Sequence, residues 1–171
     1  MLKFVGKILS LFIALSSSCY ANSITSASSS AQSKALVLTP ISLVNSDEQG
    51  LEFGSIAVGA VASVIRISPT ETVSANVVSG DAVVINTVDQ TAAKFTVSGD
   101  AGSSYVINIP TSMTVSRLSE TMVVDNFTCS NGLGGTIGSF DVFYIGADLN
   151  IPMNATLGAY SGTFSVVVAY N

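Results

Sequence analysis

The sequence contains no histidine. That removes the most frequent general base, the commonest metal ligand and the usual partner of a nucleophilic serine. There is no tryptophan either, so a carbohydrate-stacking platform would have to rest on tyrosine and phenylalanine. Charged residues make up only 10% of the chain, against about 25% in an average globular protein. Helix surfaces are normally furnished with Glu, Lys and Arg, which lose little rotamer freedom there; their shortage argues for sheet. Of two cysteines, Cys19 falls in the N-terminal segment expected to be removed on export, which leaves Cys129 without a partner for an intramolecular disulfide. No basic residue near Cys129 in sequence would lower its thiol pKa. The carboxylates Asp81, Asp89, Asp100, Asp141 and Asp148 occupy turn or strand-edge positions, where acids favour solvent and local turn bonds. They do not read as a glycoside-cleaving pair. No acid cluster has the spacing of a calcium loop. The expectation is a protein that is not an enzyme and that holds no cofactor and no metal.

What is present begins with an export signal. Lys3 and Lys7 form a positive start, and Ile8-Leu9-Ser10-Leu11-Phe12-Ile13-Ala14-Leu15 is an apolar core. Cys19-Tyr20-Ala21 places small residues at the positions read by a signal peptidase, so cleavage is expected after Ala21. The apolar run is far short of the ~20 residues of a membrane span, and no span is expected. The alternative of acylation at Cys19 lacks the aliphatic residue three places earlier, since Ser16-Ser17-Ser18 stands there. Residues 1–21 are therefore assigned to the signal, 22–33 to a Ser/Ala-rich flexible leader, and 34–171 to one domain. After cleavage four bases (Lys34, Arg66, Lys94, Arg117) remain against eleven acids, a net charge of −7. Such a surface repels nucleic acid and anionic headgroups. The expected location is periplasm, cell surface or medium.

From Lys34 onward, short β-rich runs alternate with turn residues. Ala35-Leu36-Val37-Leu38 opens the series. Leu51-Glu52-Phe53-Gly54, Val64-Ile65-Arg66-Ile67 and Val83-Val84-Ile85 follow. Ala93-Lys94-Phe95-Thr96-Val97 stops at Ser98-Gly99-Asp100, and Tyr105-Val106-Ile107-Asn108-Ile109 stops at Pro110. Met122-Val123-Val124 leads to Phe127, and Val142-Phe143-Tyr144-Ile145 ends at Gly146. Period-two alternation puts one side of each strand in a core and the other in water. Turn signals every 8 to 12 residues indicate a sandwich or barrel. The glycine-rich segment Asn131–Gly138 lacks the Lys of a phosphate loop and reads as a mobile connection. The strongest pattern is the last one, Tyr160 to Tyr170. Tyr160, Phe164, Val166, Val168 and Tyr170 share one face, with Gly162 between them, and Ser161, Thr163 and Ser165 share the other.

Several pieces in order resemble a secreted bacterial family known as domain of unknown function 4402. They are Leu51–Ile56, Ile65–Pro69, Ala93–Gly99, Ile107–Pro110, Met122–Phe127, Tyr144–Leu149 and Gly158–Phe164, spread over residues 35 to 171. The family has no established activity, so the resemblance implies a fold and a compartment. The C-terminal strand is also similar to that of chaperone–usher pilins, with the penultimate aromatic Tyr170, the alternating Val168, Val166 and Phe164, and Gly158 fourteenth from the end. The Gly-x-Tyr-Ser-Gly piece is similar to subunits of the alternate pilin class and to spore-coat-U-like secreted proteins. This resemblance implies an immunoglobulin-like sandwich that lacks a strand of its own and is completed by β-augmentation, first from a periplasmic chaperone and then from a neighbouring subunit. The paired cysteines of common pilins are absent. Leu36 and Leu38 fall to the first strand of the domain in this reading, and the leader then offers only Ile24 as a large apolar residue. An N-terminal donor strand is accordingly not expected.

The sequence thus points to an exported, all-β, immunoglobulin-like and pilin-like antiparallel sandwich. It would serve as a non-catalytic surface or fimbrial subunit and assemble into a homo-oligomer or fibre. The residues expected to carry assembly are Gly158, Tyr160, Phe164, Val166, Val168 and Tyr170. The alternative is a self-contained adhesive module that binds surface polysaccharide.

Overall fold

The computed structural model describes residues 26–171, and Asn86 and Thr87 by backbone alone. The signal assigned to 1–21 and the first leader residues, 22–25, lie outside the described residues. Residues 26–35 have no regular secondary structure and are exposed. Leu36–Asn171 forms a compact unit by itself. It is an antiparallel β-sandwich of two unequal layers.

The larger layer is built on β11 (Asp141–Ile151). Its sequence alternates, so Phe143, Ile145, Ala147, Leu149 and Ile151 all point into the core. One edge of β11 carries two strands in succession. β6 (Ala93–Ser98) pairs with Asp141–Ile145, and β3 (Ser63–Ile67) pairs with Ala147–Ile151. Gly146 stands at the changeover. A Cβ there would sit on the carbonyl oxygen of Ile67, so only glycine lets the two backbones pass. β9 (Glu120–Cys129) pairs along the other edge of β11. β1 (Ser42–Asn45), β4 (Asn76–Ser79) and β8 (Ser112–Arg117) extend this sheet by pairing with β6, β3 and β9 respectively.

Within β9 the inward phase changes once. Met122 and Val124 are buried, then Asn126 adopts a left-handed conformation (φ 51°) and the register against β11 shifts. This is a β-bulge. It re-aims the strand so that Phe127 and Cys129 face the core instead of Thr128.

The second layer is split. β7 (Ser104–Asn108) holds β10 (Gly134–Thr136) on one edge and β12 (Val167–Tyr170) on the other. β2 (Glu52–Ala57) and β5 (Val83–Thr91) form a separate two-stranded sheet. Between β1 and β2 the chain makes a single 3₁₀ turn over Ser46–Glu48. The core follows this split. One apolar cluster centres on Ile65, Val124, Leu149 and Ile151, the other on Val97, Tyr105, Phe143 and Ile145.

Two local readings change. Ala35-Leu36-Val37-Leu38 is not a strand; the first strand begins at Ser42. A run of β-formers takes strand form only when neighbours bury one of its faces, and here Leu36 is 84% and Val37 90% exposed. The glycine-rich segment is not wholly a connection, because Gly134–Thr136 pairs with β7. Among the described residues no helix is long and apolar enough to cross a membrane.

Phe143 is fully buried and its ring stacks on Phe95 at 5.6 Å between centroids. Phe143→Ala should cost about 3–5 kcal/mol. A urea titration should register it as a lower midpoint at unchanged slope.

Candidate functional site

Of the residues expected to carry assembly, only Val168 and Tyr170 lie on a regular strand, β12, because the strand expected over Tyr160–Tyr170 is paired only from Val167; Gly158 is exposed, and the other five lie against the core. Phe164, Val166, Val168 and Tyr170 are half-buried against the second apolar cluster, and Tyr160 against the first. The intervening Ser161, Thr163, Ser165, Val167 and Ala169 are exposed. Period two thus holds across the whole segment, although regular pairing is confined to its ends.

One edge of this segment is tied to the fold. Ser161 and Ser116 exchange backbone hydrogen bonds of 2.8 and 3.1 Å. Val167–Tyr170 pairs with Asn108–Tyr105 of β7, and the Asn171 N–H donates to the Ser104 carbonyl at 3.1 Å. Pro110, which has no N–H to offer, lies between β7 and β8 in the gap. Among the described residues, Gly162–Ser165 has no backbone partner. Gly162 is required by crowding, since a Cβ there would come within 2.5 Å of the Thr114 carbonyl oxygen. Gly158 has φ +144°, a conformation that side chains rarely adopt, and the Arg117 side chain lies against its Cα.

Phe164 is the joint between the layers. Its ring meets Phe95 edge-on at 6.5 Å and Phe127 at 5.2 Å. These geometries add roughly 0.5–1.5 kcal/mol each beyond area burial. Tyr170 closes the other end. Its hydroxyl accepts the Asp100 N–H at 2.7 Å and donates to the Thr39 carbonyl at 2.5 Å.

Beside this strand the sandwich is open. A cleft of about 810 Å³ is lined by β2, by residues 156–164, and by apolar side chains of β8, β9 and β11. Phe53, Met113, Met122, Val124 and Leu149 are among the apolar lining residues, and Asn45 and Tyr160 are polar ones. Glu52 and Asp89 are the charged residues among those that line it; both are exposed. β2 pairs with β5 on one edge, and no backbone bond joins β2 to residues 157–165 among the described residues. The cleft is therefore bordered by the edge of β2 away from β5 and by residues 157–165, an irregular segment bridged to the fold only at Ser161, over an apolar floor. Sequence reasoning missed β2 as the second border, because it stands about a hundred residues from the first.

The other carboxylates considered in the sequence do not gather. Asp148 is buried on the outer face of β11, where Arg66 of the neighbouring strand grips it with two bonds of 2.6 Å and Asn126 adds one of 3.0 Å. The Arg66 hydrogen bonds, with help from Asn126, hold the Asp148 carboxyl below its ordinary value, against the opposing effect of burial. Asp81 accepts the N–H groups of Ala60 and Val61, which lowers its pKa. Asp141 accepts the Tyr105 hydroxyl at 2.7 Å and the Asn131 amide at 3.2 Å. Burial, reinforced by Asp141, pushes the Tyr105 phenol far above its usual range. Burial also raises the Cys129 thiol, which keeps it protonated and weakly nucleophilic.

The class that the fold defines is an all-β, antiparallel sandwich. A family model described as domain of unknown function (DUF4402) matches residues 43–170. The chain belongs to that family. No curated protein and no solved structure matches it.

Two outcomes follow from the polar contacts. Because the Asp148 pKa is depressed, its contribution to stability is complete above about pH 4, the ordinary carboxylate value, and is lost as pH falls through the folded-state value. The stability gap between wild type and Asp148→Asn should therefore be widest at neutral pH and narrow below pH 4, as read by urea unfolding across pH. Tyr170→Phe removes two hydrogen bonds worth about 0.5–1.5 kcal/mol each. Hydrogen exchange should then show faster exchange at the Asp100 amide.

Proposed function

We propose that this chain is an exported, non-catalytic structural subunit of a bacterial cell surface, and that it assembles by β-strand complementation. One observation carries the reading, namely the apolar cleft bordered by the edge of β2 away from β5 and by the irregular segment 157–165, which is bridged to the fold only at Ser161. An added strand would gain backbone hydrogen bonds from an edge and bury its alternate side chains on the floor at the same time. Exposed edges of this kind are otherwise a route to uncontrolled aggregation, so a partner that occupies the seam also solves a solubility problem. The composition fits that role, with an N-terminal export signal, few charges and no histidine. In this reading the partners are neighbouring subunits and, before assembly, a periplasmic chaperone. The sandwich is immunoglobulin-like and lacks one strand.

A second reading is favoured by the polar residues of the same cleft. Tyr160, Asn45, Glu52 and Asp89 could contact a surface polysaccharide, with the protein acting as a self-contained adhesive module. The two readings part on completeness of the sheet. Residues 22–171 expressed in a periplasm should be recovered as oligomers, or as a complex with a co-expressed chaperone. A stable monomer at every concentration, with one cooperative melt, would overturn strand complementation and favour the adhesive module.

A further inference from the structure

The chain holds ten asparagines, and Asn131 is the one followed by glycine. A backbone nitrogen can attack the side-chain carbonyl of the asparagine before it, and glycine, which has no Cβ, hinders that approach least. Asn131 and Gly132 lie in the exposed turn between β9 and β10, where Gly132 has φ +67°. A Cβ on Gly132 would meet nothing within 4 Å, so that side of the turn is open.

Weak bonds close the turn. The Gly132 N–H donates to the Cys129 carbonyl at 3.2 Å. The Asn131 amide donates to both Asp141 oxygens at 3.2 Å and to the Val142 carbonyl at 3.4 Å. All four stand at or beyond the long end of the N–H···O range, in an exposed segment where local opening costs least. The Ser130 hydroxyl acts differently. It accepts the Tyr144 N–H at 3.0 Å and gives its single proton to the Asn131 side-chain oxygen at 3.1 Å. That bond draws electron density from the carbonyl carbon open to attack.

We propose that Asn131 is a self-modification site, which deamidates in the folded protein and whose products loosen β10 from β7. The Gly132 nitrogen bonds to the Asn131 Cγ, the Cγ–Nδ2 bond breaks, and ammonia leaves with the proton given up by Gly132. Water then opens the cyclic imide at either carbonyl, giving aspartate or isoaspartate. Aspartate sets a second carboxylate where a donor faced Asp141, and like charges this close repel. Isoaspartate adds a methylene to the main chain inside the turn. β10 starts two residues past Gly132 and is only three residues long, and the Ile107 N–H of β7 is bonded to the Leu133 carbonyl in the turn itself. Either product disturbs this short attachment and exposes an edge of β7. None of this depends on how the chain assembles.

The test ages the folded chain, without its signal, in mildly alkaline buffer and maps the products by mass spectrometry. Aspartate and isoaspartate should accumulate at residue 131 at least tenfold faster than at Asn154, an exposed asparagine followed by alanine. A rate at 131 no higher than at 154 overturns the site. In parallel, the Asn131→Asp protein and the aged fraction carrying isoaspartate should each exchange the Ile107 amide hydrogen at least tenfold faster than unaged wild type, with the β3 amides unchanged. Unchanged exchange at Ile107 in both overturns the loosening even where deamidation is found. Equally faster exchange in β3 also overturns it, since the effect would then be global.

Discussion

One strand has to satisfy three neighbours along two edges. β11 gives one edge to β9 and divides the other between β6 and β3, and the division is possible only because Gly146 lets backbone pass where a side chain would stand. Both apolar clusters are anchored on its inward face, Phe143 and Ile145 in one and Ala147, Leu149 and Ile151 in the other. The two-part core is a direct result. Where β6 gives way to β3 the first layer remains continuous, but the elements packed over its two halves belong to different sheets.

The split second layer is what leaves room for the cleft. β12 stays with β7, β2 stays with β5, and the long C-terminal segment is secured at Ser161 and again from Val167 onward. Phe164 spans the join by touching Phe95 and Phe127. Its ring seals the seam at one end, and beyond it the cleft is floored by buried side chains of β9 and β11 with the half-buried Phe53, Met113 and Val115 around them. Covering the apolar surface that Phe53, Met113 and Val115 still expose would be favourable at roughly 25 cal/mol per Å².

Much of the sandwich was legible in the sequence because alternation is a local signal. Phe95 and Val97, Tyr105 and Ile107, and the alternate residues Phe164, Val166, Val168 and Tyr170 proved to face the core. The signal gives a residue's side, not its neighbour, so the cleft, which needs β2 beside residues 157–165, could not be read. Nor was the bulge at Asn126 read: Asn enters the left-handed region more readily than most residues, but Asp125-Asn126 in a β-rich run does not by itself say that the phase inverts there. Ala35–Leu38 looked like a strand for the opposite reason. Its residues favour extended structure wherever they are placed, and only burial decides whether a strand results. Asp148 read as an acid at an exposed strand edge, but the cross-strand Arg66 that makes its burial tolerable lies 82 residues away.

The hydroxyl of Tyr170 has a mechanical consequence. A pull on the chain ahead of Thr39, directed along β1, would load the four residue pairs between β1 and β6 in parallel, as shear, so that they must yield together instead of unzipping in turn. Part of the load would pass through the Thr39 carbonyl into β12 and its ladder with β7. One phenolic oxygen thereby couples the two layers of the sandwich under tension, and places the grip at the point where the chain enters the fold.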